Sequence, residues 1–260
     1  MKKQLTASIL IIGNEILSGR IQDKNVQFIA KRLADFGISL QEVRIIPDIE
    51  KDIIEAVNLL RQKYTYLFTT GGIGPTHDDI TVDSVAKAFG VDVKIHEGTL
   101  KNIEEYYKNR GESLNKAREK MAYFPVGFEF INNDLTKAPG FKMENVFVMA
   151  GIPEIMNNML SYVEGFLEKS NKIESLSLKV FQGESLIAED LSNLQDKYPE
   201  IDIGSYPFIV SEDSINQEYK HEDNSKHATD VVFKGNNKIA LDKAYNELKT
   251  IVELKKYDFQ

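Results

Sequence analysis

The sequence predicts an α/β protein whose larger domain is a doubly wound, mostly parallel sheet, followed by a second, smaller α+β domain. Three observations support this prediction. Short apolar runs of strand length alternate with helix-spaced apolar residues over residues 1–150. The first of these runs, residues 7–12, is continuous, which is typical of a parallel strand buried on both faces. Beyond a polar stretch at residues 170–174, the order changes to strand, helix, strand, strand, helix. The predicted domains are therefore residues 1–169 and 170–260.

The elements of the larger domain follow from these patterns in chain order. Strands are predicted at residues 7–12, 43–46, 64–70 and 146–149, and helices at residues 26–36, 53–60, 82–89 and 156–163. Residues 98–121 have a polar helical pattern broken at Gly111, which predicts two further helices.

The smaller domain is predicted in the same way. Its strands are expected near residues 176–181, 201–208 and 231–233, and its helices near residues 186–198 and 238–254. The polar stretch 211–227 predicts a loop.

Composition narrows the possible partners and location. The net charge of -8 comes without a basic run, which argues against nucleic acid or an anionic membrane as partner, because both require a positive face. The chain has no cysteine, which excludes thiolate nucleophiles, disulfides and cysteine zinc sites. The apolar run 9–12 is too short for a signal peptide, and no run approaches the roughly 18 apolar residues of a membrane span. We therefore expect a cytoplasmic protein.

Four turns follow predicted strands of the larger domain, and each carries glycines or acids. Ligands of an open parallel sheet bind beyond the carboxyl ends of its strands, so these turns are expected to meet at one edge. The residues of interest are Gly13, Asn14 and Glu15 after the first strand, Asp48 after the second, residues 70–79 after the third, and Gly151 after the last.

The turn after the third strand predicts a phosphate site. Gly71, Gly72 and Gly74 permit backbone torsions that other residues avoid, and they leave amide N–H groups open to an anion. The helix that begins near Thr81 adds its positive N-terminal end, which favours a phosphate.

Hydroxyls and carboxylates surround this predicted phosphate site. Thr70 and Thr76 can donate hydrogen bonds to a ligand. Asp78 and Asp79 place carboxylates beside an anion, an arrangement that makes sense if a divalent cation bridges acid and phosphate.

Simpler structural roles are open for several of these residues. Asp79 and Thr81 are good helix N-caps, Asp48 suits a turn after proline, and Glu15 suits a cap after the first strand. His77 fits an exposed loop residue better than a metal ligand, because no second histidine lies nearby.

Taken together, the turns resemble the molybdopterin-binding (MoaB/Mog-like) domain. The resemblance is carried by IGNEILSG at residues 12–19, PD at 47–48, TTGGIGPTHDDIT at 69–81 and GIPEIM at 151–156. The string GGIGPTHDD is similar to one branch of that family, found in competence/damage-inducible protein A (CinA) and in the N-terminal half of eukaryotic FAD synthase. The match covers roughly residues 5–168, and the remainder, with GSYP at 204–207, resembles the small domain that follows in both groups.

The resemblance implies a nucleotide pyrophosphatase. Relatives of this branch cleave the diphosphate of ADP-ribose or FAD with a divalent metal (Mg, Mn or Co) and release AMP. By position, Asp79, Asp48 and Glu15 match acids of the ligand site and form the expected catalytic set, with metal held by Asp79 together with Asp48 or Asp78. The expected substrate-binding residues are Gly13, Asn14, Thr70, Gly71, Gly72, Gly74, Thr76 and Gly151.

Two residues depart from the family pattern, and two other functions are open. Asn14 replaces an aspartate found in many relatives, and Ala150 replaces the usual proline. The rivals are molybdopterin binding or adenylylation in molybdenum cofactor assembly, and a non-catalytic nucleotide-binding module. The resemblance also suggests a homodimer or homotrimer, with contacts from residues 98–121.

Overall fold

The computed structural model describes residues 5–170, 172–210 and 227–260. The chain divides between residues 170 and 171 into two compact units. Of the predicted loop 211–227, residues 211–226 lie outside the described residues, and His227 opens a strand. Within the described ranges, no helix combines the length and apolar character needed to cross a bilayer.

The first unit alternates strands and helices. Its strands are β1 (Thr6–Ile12), β2 (Ser39–Ile46), β3 (Tyr66–Thr70), β4 (Val93–Ile95), β5 (Tyr123–Pro125), β6 (Glu129–Ile131), β7 (Gly140–Met143) and β8 (Val146–Met149). Its helices are α1 (Asn14–Leu17), α2 (Asn25–Asp35), α3 (Glu50–Lys63), α4 (Thr81–Phe89), α5 (Glu97–Lys108), α6 (Lys116–Lys120) and α7 (Pro153–Val163).

Six strands of this unit form a mostly parallel sheet in the order β2-β1-β3-β8-β7-β6. The pairs β1–β2, β1–β3 and β3–β8 are parallel, whereas β7 pairs antiparallel with both β8 and β6. The fold predicted from the sequence is therefore confirmed. The parallel part brings the carboxyl ends of β2, β1, β3 and β8 to one edge, which is where ligands bind in such sheets.

The central strand β1 shows why the apolar runs are continuous. Ala7, Ile9 and Ile11 pack on one face against α2 and α7, and Leu10 and Ile12 pack on the other face against α3 and α4. All five side chains are buried. Burial contributes roughly 1.5–3 kcal/mol for each large aliphatic side chain. One run of residues therefore packs into two cores, one on each face of the sheet. This packing fixes the register of the sheet and the position of its turns.

The structure contains four short strands, β4 to β7, that have no counterpart among the predicted elements. Each has only three or four residues, too few to establish an alternating pattern. Strand β2 begins at Ser39 rather than at the predicted residue 43, because Glu42 and Arg44 interrupt its apolar run while remaining in the ladder with β1. The two polar helices predicted between residues 98 and 121 correspond to α5 and α6.

The second unit has the predicted order of elements among its described residues. They are β9 (Glu174–Val180), α8 (Glu184–Lys197), β10 (Asp202–Ile209), β11 (His227–Gly235) and α9 (Lys238–Leu254). The strands form an antiparallel sheet in the order β10-β11-β9. Buried residues of both helices, including Ile187, Leu194, Leu241 and Leu248, pack with Phe233 in one core.

Candidate functional site

A cavity of about 500 Å³ lies at the carboxyl ends of β1, β3 and β8. Eight of the residues predicted for the site line it, namely Glu15, Thr70, Gly71, Gly72, Gly74, Thr76, Asp79 and Gly151. Much of the remaining wall is apolar and includes Ile16, Ile73, Ile155 and Met159. A cavity of this size with a few polar groups on an apolar wall suits a small organic ligand.

Glycines at the start of the turn after β3 allow the chain to pass close to its neighbours. Gly71 has φ +102° and Gly72 has φ +69°, in the region that side chains disfavour. A Cβ atom on Gly71 would lie 2.1 Å from the carbonyl oxygen of Ile12, and one on Gly72 would lie 2.1 Å from Thr81 Oγ1. Glycine is therefore required at both positions by contact as well as by torsion.

Thr81 anchors this turn to the start of α4. Its hydroxyl donates to the Gly71 carbonyl over 3.0 Å, and its backbone N–H donates to the Gly72 carbonyl over 3.0 Å. The N-cap residue is Ile80, which supplies no side-chain hydrogen bond. The alternative role of Asp79 and Thr81 as N-caps is therefore wrong, because both side chains are used within the turn.

Asp79 is held inside the turn by Thr76. Its Oδ2 atom accepts a hydrogen bond from the Thr76 backbone N–H over 2.7 Å and another from the Thr76 hydroxyl. A Cβ atom on Gly74 would lie 2.7 Å from the same Oδ2 atom, so glycine makes room for the carboxylate. The turn thus fixes the Asp79 carboxylate at the cavity wall.

Lys120 clamps the same turn from helix α6. Its Nζ atom donates to the carbonyl oxygens of Thr76 over 2.8 Å and of Asp79 over 2.6 Å. These bonds join residues more than 40 positions apart in the chain. The neighbouring Asp78 is exposed, and the Thr76 hydroxyl and its own backbone amide lower its pKa. The clamp brings a positive charge to a turn that carries two acids.

The turns after β1 and β2 meet through a different contact. Asp48 Oδ2 accepts a hydrogen bond from the backbone N–H of Asn14 over 2.9 Å, which ties the start of α1 to the turn after β2. Asp48, Asn14 and Gly13 do not line the cavity. Among the described residues, no hydrogen bond or ion pair engages the Glu15 carboxylate, which lies over Gly13 at the cavity wall.

The predicted metal set of Asp79, Asp48 and Asp78 is not a preformed site. No group of three or more Asp, Glu or His side chains suited to a metal occurs within the part of the chain that the structure describes. Asp48 is engaged by Asn14, and neither Asp48 nor Asp78 lines the cavity. Asp79 and Glu15 do line it. Mg²⁺ is commonly held by one or two carboxylates together with substrate phosphate oxygens and water, so the Asp79 carboxylate fits a cation that arrives with a phosphorylated ligand.

Two further segments line the cavity but were not predicted from the sequence. Asn25 opens α2, is 3% exposed, and donates from Nδ2 to the Gly151 carbonyl over 2.8 Å, which ties two sides of the cavity together. Asn133 holds the turn between β6 and β7 through bonds to Thr136 and Ala138. Neither residue lies directly after a parallel strand. The prediction considered only turns that follow such strands, so it did not include them. The turn-forming residues around 132–140 are the one feature of the sequence that could have indicated Asn133.

Comparison with known proteins decides the family. Residues 8–169 match the family model described as "Probable molybdopterin binding domain". The chain belongs to this family. Residues 172–258 match the model of the FAD synthase middle domain. The resemblance inferred from the turns is therefore confirmed, and both matched domains fit a small-molecule ligand.

Individual relatives agree with this assignment. A protein of Archaeoglobus fulgidus is 34% identical over 199 residues, which cover 76% of this chain and 84% of the relative. A Clostridium tetani protein named as competence-damage inducible is 35% identical over 199 residues, which cover 73% of this chain and 48% of the relative. The chain thus spans about half the length of that relative.

Among solved structures, the chain is similar to CinA of Thermoplasma acidophilum, whose function is described as unknown. The TM-score is 0.57 and the sequence identity is 32%, and the match covers 62% of this chain and 96% of that chain.

Proposed function

We propose that this protein is a metal-dependent nucleotide pyrophosphatase that hydrolyses the diphosphate of a dinucleotide such as ADP-ribose or FAD and releases AMP. One observation carries the proposal. The cavity joins a glycine-rich turn to two carboxylates, Asp79 held in place and Glu15 without a side-chain partner in the described residues. Such a site can bind a diphosphate and also act on it.

The glycine turn supplies the binding of the diphosphate. The Gly71 N–H donates to the Met149 carbonyl over 3.1 Å, whereas the N–H groups of Gly72 and Gly74 have no hydrogen-bond acceptor among the described residues, and α4 begins at the end of the same turn. Both features favour an anion. A divalent cation held by Asp79 together with the phosphate oxygens and water would offset the negative charge that develops in the reaction.

Glu15 is the proposed base. The oxygen of a water molecule bonds to the adenylate phosphorus, and the bond from that phosphorus to the bridging oxygen breaks. One proton of the water passes to Glu15, the other stays on the new AMP, and the bridging oxygen leaves with the second phosphate. The second product is ribose 5-phosphate from ADP-ribose or FMN from FAD. A carboxylate without a competing partner suits this role.

The second unit supports FAD as one candidate substrate. Its match to the FAD synthase middle domain associates this chain with proteins that handle FAD. The reaction itself depends on residues of the first unit, so ADP-ribose remains an equal candidate for the assay.

The direct test is release of AMP. The purified protein is incubated with ADP-ribose or FAD and with Mg²⁺, Mn²⁺ or Co²⁺, and the products are separated by chromatography. We expect AMP with at least one metal, and loss of it in Asp79→Ala but not in Asp196→Ala, an exposed aspartate of the second unit. Absence of AMP with every metal contradicts the proposal, as does full activity in Asp79→Ala.

A second candidate is molybdopterin binding or adenylylation, favoured by the description of the matched family and by the apolar wall of the cavity. Tight binding of molybdopterin without hydrolysis of FAD or ADP-ribose would select it. Nucleotide binding that is independent of metal, with no turnover, would instead indicate a non-catalytic module.

We also propose a homo-oligomer, a dimer or trimer, but with a different contact surface from the one predicted. Residues 98–121 expose no large apolar side chain. Val43 and Ile45, on the edge strand β2, and Ile49 beside it are 41%, 42% and 50% exposed. Light scattering should show an oligomer that Val43→Glu with Ile45→Glu converts to a monomer. A monomeric natural protein would contradict this proposal.

A further inference from the structure

One aromatic side chain stands on the wall of the cavity. Tyr107, near the end of α5, lines the cavity, and no other aromatic side chain within the described part of the chain does so. Other wall residues, such as Ile16, Ile73 and Ile155, are aliphatic. The reaction proposed above gives Tyr107 no role, because it depends on the glycine turn and on two carboxylates.

Two neighbours hold the ring of Tyr107 in place. The guanidinium carbon of Arg118 lies 3.7 Å from the ring centroid, over one face of the ring. The ring of Tyr106 packs edge to face at 5.2 Å, with an angle of 84° between the ring planes. Neither Arg118 nor Tyr106 lines the cavity. The part of the Tyr107 ring on the cavity wall is therefore the part that these two neighbours leave uncovered.

Arg118 is itself fixed by its surroundings. Its backbone N–H donates to Asn115 Oδ1 over 2.9 Å at the start of α6. Its guanidinium donates to the Ser113 carbonyl over 2.5 Å and forms an ion pair with Glu112. A guanidinium with these partners stays over the aromatic face, where the cation–π contact favours it. The orientation of the Tyr107 ring is therefore set before a ligand arrives.

Helix α6 connects this ring to the turn that carries the acid. Lys120, two positions after Arg118, donates from Nζ to the Asp79 carbonyl over 2.6 Å. One short helix thus holds the Tyr107 ring through Arg118 and the Asp79 turn through Lys120. The position of the ring relative to the proposed diphosphate site is fixed by this helix.

We propose that Tyr107 determines specificity by stacking on the adenine base of the dinucleotide. This inference rests on the proposed function, because adenine is the ring that ADP-ribose and FAD share. A planar base gains affinity from contact with an aromatic face, and the aliphatic wall can cover the rest of the base. Because Arg118 and Tyr106 already hold the ring, little side-chain freedom is lost when the base binds.

The test measures binding of AMP, which requires no turnover. AMP is titrated by calorimetry into the full-length protein and its variants in the presence of Mg²⁺. Tyr107→Leu keeps an apolar side chain but removes the ring, and should weaken AMP binding by about tenfold. Tyr107→Phe keeps the ring and should leave the Kd of AMP within about twofold. The matched control is Tyr206→Leu, since Tyr206 is 59% exposed, lies in the second unit and does not line the cavity.

A second nucleotide distinguishes stacking from a structural role. UMP has the same sugar and phosphate but a smaller base, so Tyr107→Leu should weaken UMP binding less than AMP binding. Equal weakening of both nucleotides would assign Tyr107 a structural role and overturn the inference. An unchanged Kd of AMP in Tyr107→Leu, an equal loss in Tyr107→Phe, or no AMP binding by the natural protein at millimolar concentration also overturns it. So does weaker binding of FMN with AMP unaffected, because the isoalloxazine would then be the stacked ring.

The binding test separates this inference from the proposed function. If AMP binds in a manner that depends on the Tyr107 ring but no dinucleotide is hydrolysed, the hydrolase proposal fails and the stacking inference stands. If AMP is released from a dinucleotide while Tyr107→Leu binds AMP as tightly as the natural protein, the hydrolase proposal stands and the stacking inference fails.

Discussion

Two acid-bearing regions lie at the same edge of the sheet, and they use their carboxylates in opposite ways. In the turn after β3, Thr76 holds Asp79 at the cavity wall. In the paired turns after β1 and β2, the Asp48 carboxylate accepts a hydrogen bond from the Asn14 backbone N–H. The Glu15 carboxylate has no hydrogen bond or ion pair among the described residues. A carboxylate near a sheet edge is therefore not a site residue by position alone. Its role depends on which backbone N–H groups lie within hydrogen-bonding distance of it.

The largest expected effect comes from Asp79→Ala. Removing the carboxylate takes away a charged group at the diphosphate and also releases Thr76, so kcat/KM for AMP release should fall by about 10²–10³-fold. Asp48→Ala, which changes the other region, should lower kcat/KM only a few-fold. Equal losses in the two variants would contradict the division of roles between the regions.

Glu15→Gln should have the next largest effect. The amide cannot accept the proton of water, so kcat should fall by roughly 10²-fold, with little change in KM. Since the Glu15 carboxylate forms no hydrogen bond or ion pair among the described residues, and the backbone carbonyl of Glu15 keeps its bonds in the variant, the melting temperature should stay the same. A variant that loses stability but keeps kcat would assign Glu15 a structural role instead.

Gly72→Ala tests how tightly the turn after β3 is packed. The added Cβ would lie 2.1 Å from Thr81 Oγ1 at a φ of +69°, so the turn must shift. Gly19→Ala is the matched control, because Gly19 has the same φ with nothing within 4 Å. The control should cost about 1–2 kcal/mol of unfolding free energy from torsion alone, and Gly72→Ala should cost more and lower AMP release. Equal losses by chemical denaturation would show that the contact with Thr81 is unimportant.

Asp48→Ala should cost about 1 kcal/mol of unfolding free energy, because the Asn14 N–H loses its acceptor at the start of α1. Chemical denaturation measures the loss, and Asp48→Asn, which keeps an acceptor oxygen, should recover most of it. An unchanged stability in Asp48→Ala would contradict the structural role assigned to Asp48.

The smallest effect concerns Glu42, on the strand that leads to Asp48. Hydrogen bonds from Tyr64, Lys63 and Arg44 lower the pKa of Glu42 from 4.5 to about 2. A carboxyl whose pKa is lower in the folded state stabilises the fold above its unfolded pKa, and this contribution disappears as the pH falls from about 4.5 to 2. The melting temperatures of the natural protein and Glu42→Gln should therefore differ at pH 6 and converge near pH 2. A difference that is independent of pH would exclude the ionised carboxylate as its cause.

The sequence predicted the parallel core because strands buried on both faces leave continuous apolar runs. It did not predict β4 to β7, whose three or four residues are too few for a pattern. The same limit applies to the cavity. Residues directly after strands, such as Glu15 and Asp79, could be found from chain order, whereas Asn25 reaches Gly151 from 126 positions away. Contacts over such separations leave no local signal.

By itself, the sequence determined the order of the parallel strands and of the helices between them, the family and the set of turns that share one sheet edge, because hydrophobic periodicity and glycine turns are local properties of the chain. Only the tertiary structure decided which carboxylates face the cavity. Asp48 and Asp79 are both acids in turns after parallel strands, but one meets the N–H of Asn14 and the other that of Thr76. Hydrogen bonds and cavities form between segments brought together by packing, and no single segment encodes them.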